Sequence, residues 1–127
     1  MSKYLSKIIA KDSQGLQMIS ACCSEAKVNI TEMKYLPDNM VFLLFLERFK
    51  FEVNNENSKV SSYLRFEYVQ SVKSKNINQK DKDLILELIA IDFLKNDKNY
   101  EINLIFSKNA YITLFTEIVE ATLEDQN

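Results

Sequence analysis

Histidine and tryptophan are absent from this 127-residue chain, and glycine and proline occur once each. Without histidine there is no imidazole base, no Ser-His or Cys-His nucleophile pair and no His-ligated metal. The lone glycine, Gly15, excludes the P-loop and the dinucleotide fingerprint, which need several glycines for close backbone approach to phosphate. The two cysteines, Cys22 and Cys23, are adjacent, so they cannot pair without severe strain and cannot supply the four ligands of a structural zinc. Long hydrophobic runs are missing too. The longest, Met40 to Leu46, is far below the ~20 residues that cross a bilayer. The opening residues, Met1 to Asp12, contain no signal-peptide core. These absences lead us to expect a cytoplasmic protein in a reducing compartment, with no membrane contact and no cofactor.

What is present is ordinary globular composition. The chain is 46% hydrophobic and 27% charged, with 18 acidic against 16 basic residues for a net charge of −2. That fits a single domain over residues 1–127, able to bury roughly two-thirds of its unfolded surface without metal or disulfide.

Periodicity gives the elements. Tyr4 to Ala10 reads as a strand, and Asp12 or Ser13 caps a helix whose apolar stripe is Leu16, Ile19, Cys23 and Ala26. Cys22 lies at the stripe's edge. The period then drops to two. Strands follow at Asn29–Leu36 and Met40–Val53, separated by the turn Pro37-Asp38-Asn39. In the longer strand the odd positions Val41, Leu43, Phe45, Phe49, Phe51 and Val53 are apolar, Glu47 excepted, while the even positions pass from Phe42, Leu44 and Leu46 to Arg48, Lys50 and Glu52. This predicts the odd face buried throughout and the even face for half its length. After a polar loop, Asn54–Ser62, comes a strand at Tyr63–Lys73. Charge predicts the hairpin register: with facing numbers summing to 117, Lys50 meets Glu67 and Glu52 meets Arg65. Beyond a polar connection, Ser74–Asp83, strands are expected at Leu84–Leu94, Tyr100–Phe106 and Ala110–Phe115, the last two joined by a tight turn at Lys108-Asn109. Thr116 would cap a terminal helix, Glu117–Asp125.

This order predicts an α+β fold, mostly antiparallel β. Its nearest architecture is a pleckstrin-homology-like split barrel of about seven strands, with a helix after strand one and a C-terminal capping helix plugging the open end.

Few residues carry candidate chemistry. Asn76, Asn78, Asp81 and Asp83 have a calcium-loop flavour, but lysines intervene and the central glycine is missing, so they read as a solvated loop. Glu117, Glu120, Glu124 and Asp125 read as a solvated helix face, although paired carboxylates could do acid–base work. Cys22 could act as a nucleophile only with a lowered pKa, and no basic neighbour is apparent in sequence. Lys73, Lys75, Lys80 and Lys82 form the one basic cluster; it has no interleaved aromatic and the chain is acidic, so nucleic acid is not expected. Of the 16 basic residues only Arg48 and Arg65 are arginine, the side chain kept where a planar bidentate donor is needed. Two readings stand: Arg65 pairs with Glu52 and Arg48 with an acid on another strand, or both grip a partner carboxylate at one sheet face.

Several stretches carry a family resemblance: Arg48-Phe49, Leu64-Arg65-Phe66-Glu67-Tyr68-Val69, Leu86 to Phe93, and Ile118 to Asp125. Together with the opening strand and helix they resemble a bacterial family, domain of unknown function 2948, over nearly the whole chain. The resemblance implies a single-domain alphaproteobacterial protein and carries no assigned activity or catalytic residue. The chain departs from the family at Lys108-Asn109, where a glycine-bearing turn would be expected. The leading functional expectation is a non-enzymatic binding or protein-interaction module that meets a protein or peptide through a sheet face or the groove beside the C-terminal helix. The alternative is a small-molecule-binding protein or enzyme using carboxylates or Cys22. A homodimer through an edge strand is a third possibility.

Overall fold

The computed structural model describes residues 7–51 and 57–126. In chain order these form β1 (Lys7–Ala10), α1 (Ser13–Cys22), β2 (Ala26–Asn29), a single 3-10 turn (Ile30–Glu32), β3 (Met33–Leu36) and β4 (Val41–Phe51). There follow β5 (Asn57–Phe66), β6 (Val69–Lys75), β7 (Ile85–Lys95), β8 (Tyr100–Phe106), β9 (Tyr111–Thr116) and β10 (Ala121–Asp125). The fold is α+β and mostly antiparallel sheet. One path of hydrogen-bonded neighbours runs β1-β10-β5-β4-β2-β7-β8-β9-β6, with β3 beside β4.

β5 and β6 are joined by Glu67-Tyr68 alone, yet β6 ends the path while β5 lies near its start. The sheet must therefore coil back on itself around a shared core. Tyr68 makes the corner with φ 59°, a left-handed conformation uncommon for a non-glycine residue. Backbone hydrogen bonds stitch the corner: Glu67 N–H donates to Glu120 O (2.9 Å) and Val69 N–H to Met40 O (2.8 Å). The expected turn at Lys108-Asn109 is present, with φ of 61° and 57°, the pair of positive values that a tight hairpin needs.

The helix begins where the spacing places it but ends at Cys22; Ala26, expected on its stripe, instead opens β2. Asp12 caps the helix, its Oδ1 accepting from Gly15 N–H at 2.8 Å, and Leu16, Ile19 and Cys23 are buried. Gly15 is needed for space, not for φ: a Cβ there would lie 2.8 Å from both Cα and Cβ of Ala10, so only glycine lets α1 settle against β1. α1 also packs on β7, which makes it the helix that covers the sheet.

The expected C-terminal capping helix is absent. Glu117–Glu120 is a connection, Thr116 is buried at the end of β9, and Ala121–Asp125 is a strand between β1 and β5. The cause is period two: Ala121, Leu123 and Asp125 are buried, while Thr122 and Glu124 are half-buried on the outer face. Pairing on both sides satisfies both rows of backbone groups, whereas a nine-residue helix is marginal by itself. With β10 counted, and with Asn29–Leu36 and Tyr63–Lys73 each broken in two, the strands among the described residues number ten instead of about seven. The first break is the 3-10 turn, begun by Asn29 Oδ1 accepting from Thr31 N–H (2.9 Å). The second is the corner at Tyr68.

The hairpin register also differs. β4 and β5 pair with numbers summing to 108, as in Phe42 with Phe66, Leu44 with Leu64 and Lys50 with Ser58. Residues 57–62, expected in a loop, are strand. Glu52 and Val53 lie outside the described residues, as do Tyr4 to Ser6 of the first expected strand. Moving from an odd sum to an even one exchanges the faces. The even positions Phe42, Leu44, Leu46 and Arg48 point into the core, while Phe45 and Glu47 are exposed. The charge argument fails on magnitude: each exposed pair contributes about 0.2–1 kcal/mol, whereas burying each large apolar side chain contributes roughly 1.5–3 kcal/mol.

Candidate functional site

The register sends the two arginines to opposite sides of the sheet. Arg48 continues the inward row of β4 and is 5% exposed. Its partner is Asp125 on β10: Nε and Nη2 donate to Oδ1 at 3.0 and 2.9 Å, and Nη2 donates to Oδ2 at 2.9 Å. Ser62 on β5 completes the cluster, accepting from Arg48 Nε (3.2 Å) and donating to Asp125 Oδ1 (2.7 Å). Arg48 thus meets an acid on another strand. Such a bidentate pair needs a planar fork, which explains arginine in a chain otherwise rich in lysine.

Arg65 points outward from β5, its side chain 47% exposed and paired with Glu67 two residues on. An exposed pair of this kind contributes little. The structure does not bring Arg48 and Arg65 to one face.

Nor do the C-terminal carboxylates gather. Asp125 is in the core, Glu124 accepts a hydrogen bond from the Tyr63 hydroxyl, Glu120 lies 3.9 Å from Lys11 Nζ, and Glu117 is exposed. The bond to Glu124 raises the Tyr63 phenol above its ordinary range. Among the described residues no group of three or more Cys, Asp or Glu could hold a metal ion, and no helix is long and apolar enough to cross a membrane.

Of the cysteines, Cys22 is half-buried and Cys23 is fully buried behind α1. Burial pushes the Cys23 thiol up to about 12 despite the opposing pull of the nearby Arg48 charge. In the native protein one thiol should react with dithionitrobenzoate and the other only at the rate of global unfolding; prompt reaction of both would contradict this burial. The linkage has a definite sign. A thiol whose folded pKa lies above its unfolded value of about 9 favours folding fully below that pH, and the contribution is lost as pH rises from there toward 12. Unfolding midpoints for wild type should therefore fall more steeply above pH 9 than those of Cys23→Ala.

The most site-like concavity lies elsewhere. β3 and β6 each pair on one side only, with β4 and β9 respectively, and their open edges face each other across a cleft of about 370 Å³. Met33 and Tyr35 line one wall and Val72 and Ser74 the other, over Phe42 and Ile112. Ile77, from the loop after β6, closes over part of it. One end is tied: the Tyr35 hydroxyl donates to Val69 O at 3.1 Å, beside the Val69–Met40 bond. From Ser71 onward β6 diverges. Its backbone groups on the side away from β9 have no partner strand among the described residues.

The cleft is lined by apolar and neutral polar side chains, with no carboxylate or thiol among its described residues. Sequence reasoning missed it because it arises between strands 33–36 and 69–75, neither of which was resolved as a separate element. A second depression of about 360 Å³ opens where β2 and β4, joined through Lys27 and Glu47, splay apart. Lys27, Glu32 and Glu47 give its rim charges of both signs, so it favours no single class of ligand.

No curated protein and no solved structure matches the chain. A family model described as "Protein of unknown function (DUF2948)" matches residues 6–127. The extent of that match agrees with the strand from 121 to 125 and the opening strand 7–10 being neighbours in one sheet. The chain therefore belongs to the family of domain of unknown function 2948.

Proposed function

We propose that this protein is a non-enzymatic, cytoplasmic interaction module that takes an extended segment of a partner protein onto the open edge of β6. The observation that carries this reading is the pair of unpaired edges facing each other over an uncharged cleft of mixed apolar and neutral polar lining. Unpaired N–H and C=O groups on β6 can receive a further strand, and side chains alternate along that strand between the cleft and solvent. The cleft, within the volume range of ligand sites, accepts the inward side chains. In this view the coiled sheet is a variant of a split barrel, with β3 and β6 as its lips and α1 in place of a C-terminal helix. Arg48 and Arg65 lie outside the contact.

Selection of displayed random peptides against the folded chain tests this. Peptides that bind should be extended, and Ile77→Arg, a loop substitution at the cleft, should weaken them at least tenfold while leaving the circular dichroism spectrum unchanged. Failure to select any binder, or selected binders indifferent to Ile77→Arg, would overturn the reading.

A further inference from the structure

We propose that the β6 edge selects a segment in which acidic residues alternate with apolar ones. The inference rests on the β6-edge reading above and follows from register. β6 pairs with β9 so that Val72 faces Leu114 and Ser74 faces Ile112, while Lys73 faces Thr113 and Lys75 faces Tyr111. Ile112 and Leu114 are buried, so Val72 and Ser74 look inward to the cleft, and Lys73 and Lys75 stand on the outer face. There Lys73 Nζ lies 5.5 Å from the Phe115 ring centroid, and Lys73 and Lys75 border a surface shared with Tyr111 and Thr113. Neither lysine forms an ion pair among the described residues.

An added strand inherits this alternation. Its inward residues enter an uncharged cleft where Tyr35, Phe42, Val72 and Ile77 favour apolar side chains and Thr31, Ser74 and Gln79 are the polar members, so charged residues are disfavoured there and apolar ones preferred. Its outward residues stand about 4.5–5.5 Å, Cβ to Cβ, from their cross-strand neighbours Lys73 and Lys75 and are favoured when acidic. Charge across the molecule points the same way. Residues 73–83 carry four lysines and two aspartates, +2, so with a net −2 the rest of the chain sums to −4. The β6 edge and its loop are thus a basic island on an acidic protein, which steers acidic segments toward that edge. A second copy of this chain is the poorer occupant, because two-fold pairing of β6 with itself brings four lysines together on one face.

The test uses three blocked heptapeptides in which valine alternates with glutamate, with serine or with lysine. Each is titrated against wild type and against the surface double variant Lys73→Glu, Lys75→Glu, with circular dichroism confirming that both are folded. Wild type should prefer the glutamate peptide over the lysine peptide by about tenfold or more at low salt, with the serine peptide between them. The double variant should reverse the order, and 0.5 M salt should compress it. Equal affinity for all three would overturn the charge selection and leave the cleft reading standing. No binding of any peptide at millimolar concentration would overturn both. A single-stranded oligothymidylate that binds more tightly than the glutamate peptide would overturn the proposal in favour of nucleic acid on the outer face.

Discussion

Arg48→Ala is expected to cost about 3–5 kcal/mol of folding stability, because it leaves Asp125 buried and without its main cationic partner. The Asp125 side chain is fully buried, and Arg48 reaches it from the neighbouring part of the core through three hydrogen bonds. Set against the 5–15 kcal/mol that typically separates folded from unfolded states, such a loss brings the protein near its folding threshold. Urea denaturation followed by circular dichroism reads it as a lowered midpoint at unchanged slope. Asp125→Ala should be equally damaging, since it strands the guanidinium. The double variant Arg48→Met, Asp125→Leu should recover much of the loss, because two apolar groups of similar volume remove the desolvation problem. Arg65→Ala, which removes an exposed pair, should stay within about 1 kcal/mol of wild type. Equal small effects at Arg48 and Arg65 would mean that Arg48 is solvated in solution.

The same pair shows what the sequence could and could not convey. The scarcity of arginine was a true signal that a bidentate donor was needed, and the structure shows one at Arg48. The face was not legible. Arg48 interrupts the inward row Phe42, Leu44, Leu46, so a count of apolar residues favoured the odd positions of β4. The fact that corrects the count is Asp125, which lies 77 residues away in sequence and itself sits in an alternating row with Ala121 and Leu123. A buried charge is invisible to periodicity until its partner is known. Local signals did better. The Asp12 cap, the Leu16–Ile19–Cys23 stripe, and the strands from Ile85 to Thr116 with the Lys108-Asn109 turn each depend on neighbours in sequence. The β3–β6 cleft depends on long-range closure, and nothing within either strand announces that its far edge is open.

The last strand provides the second large expectation, and it separates the two ways of reading residues 117–125. A helix there would place Ile118 on its buried side with Ala121 and Thr122. In the structure Ile118 is 48% exposed, whereas Leu123 is fully buried between Ile8 on β1 and Leu64 on β5 in the sheet. Leu123→Ala should therefore cost about 2–5 kcal/mol, the transfer term plus the cavity left in a core that relaxes only in part. Ile118→Ser should remain within about 0.5 kcal/mol of wild type, as surface substitutions do. The ordering matters more than either value, since cavity costs vary with how well a site collapses. It is also coupled to the first expectation. Leu123 and Asp125 are alternate residues on one face of β10, so loosening the strand at Leu123 weakens the framework that holds Asp125 against Arg48. A double variant Leu123→Ala, Arg48→Ala should then lose less than the sum of its parts, with an interaction of about 0.5–3 kcal/mol. Strict additivity in urea titrations would mean that the two ends of β10 are held independently, and that the ion pair does not depend on the strand beneath it.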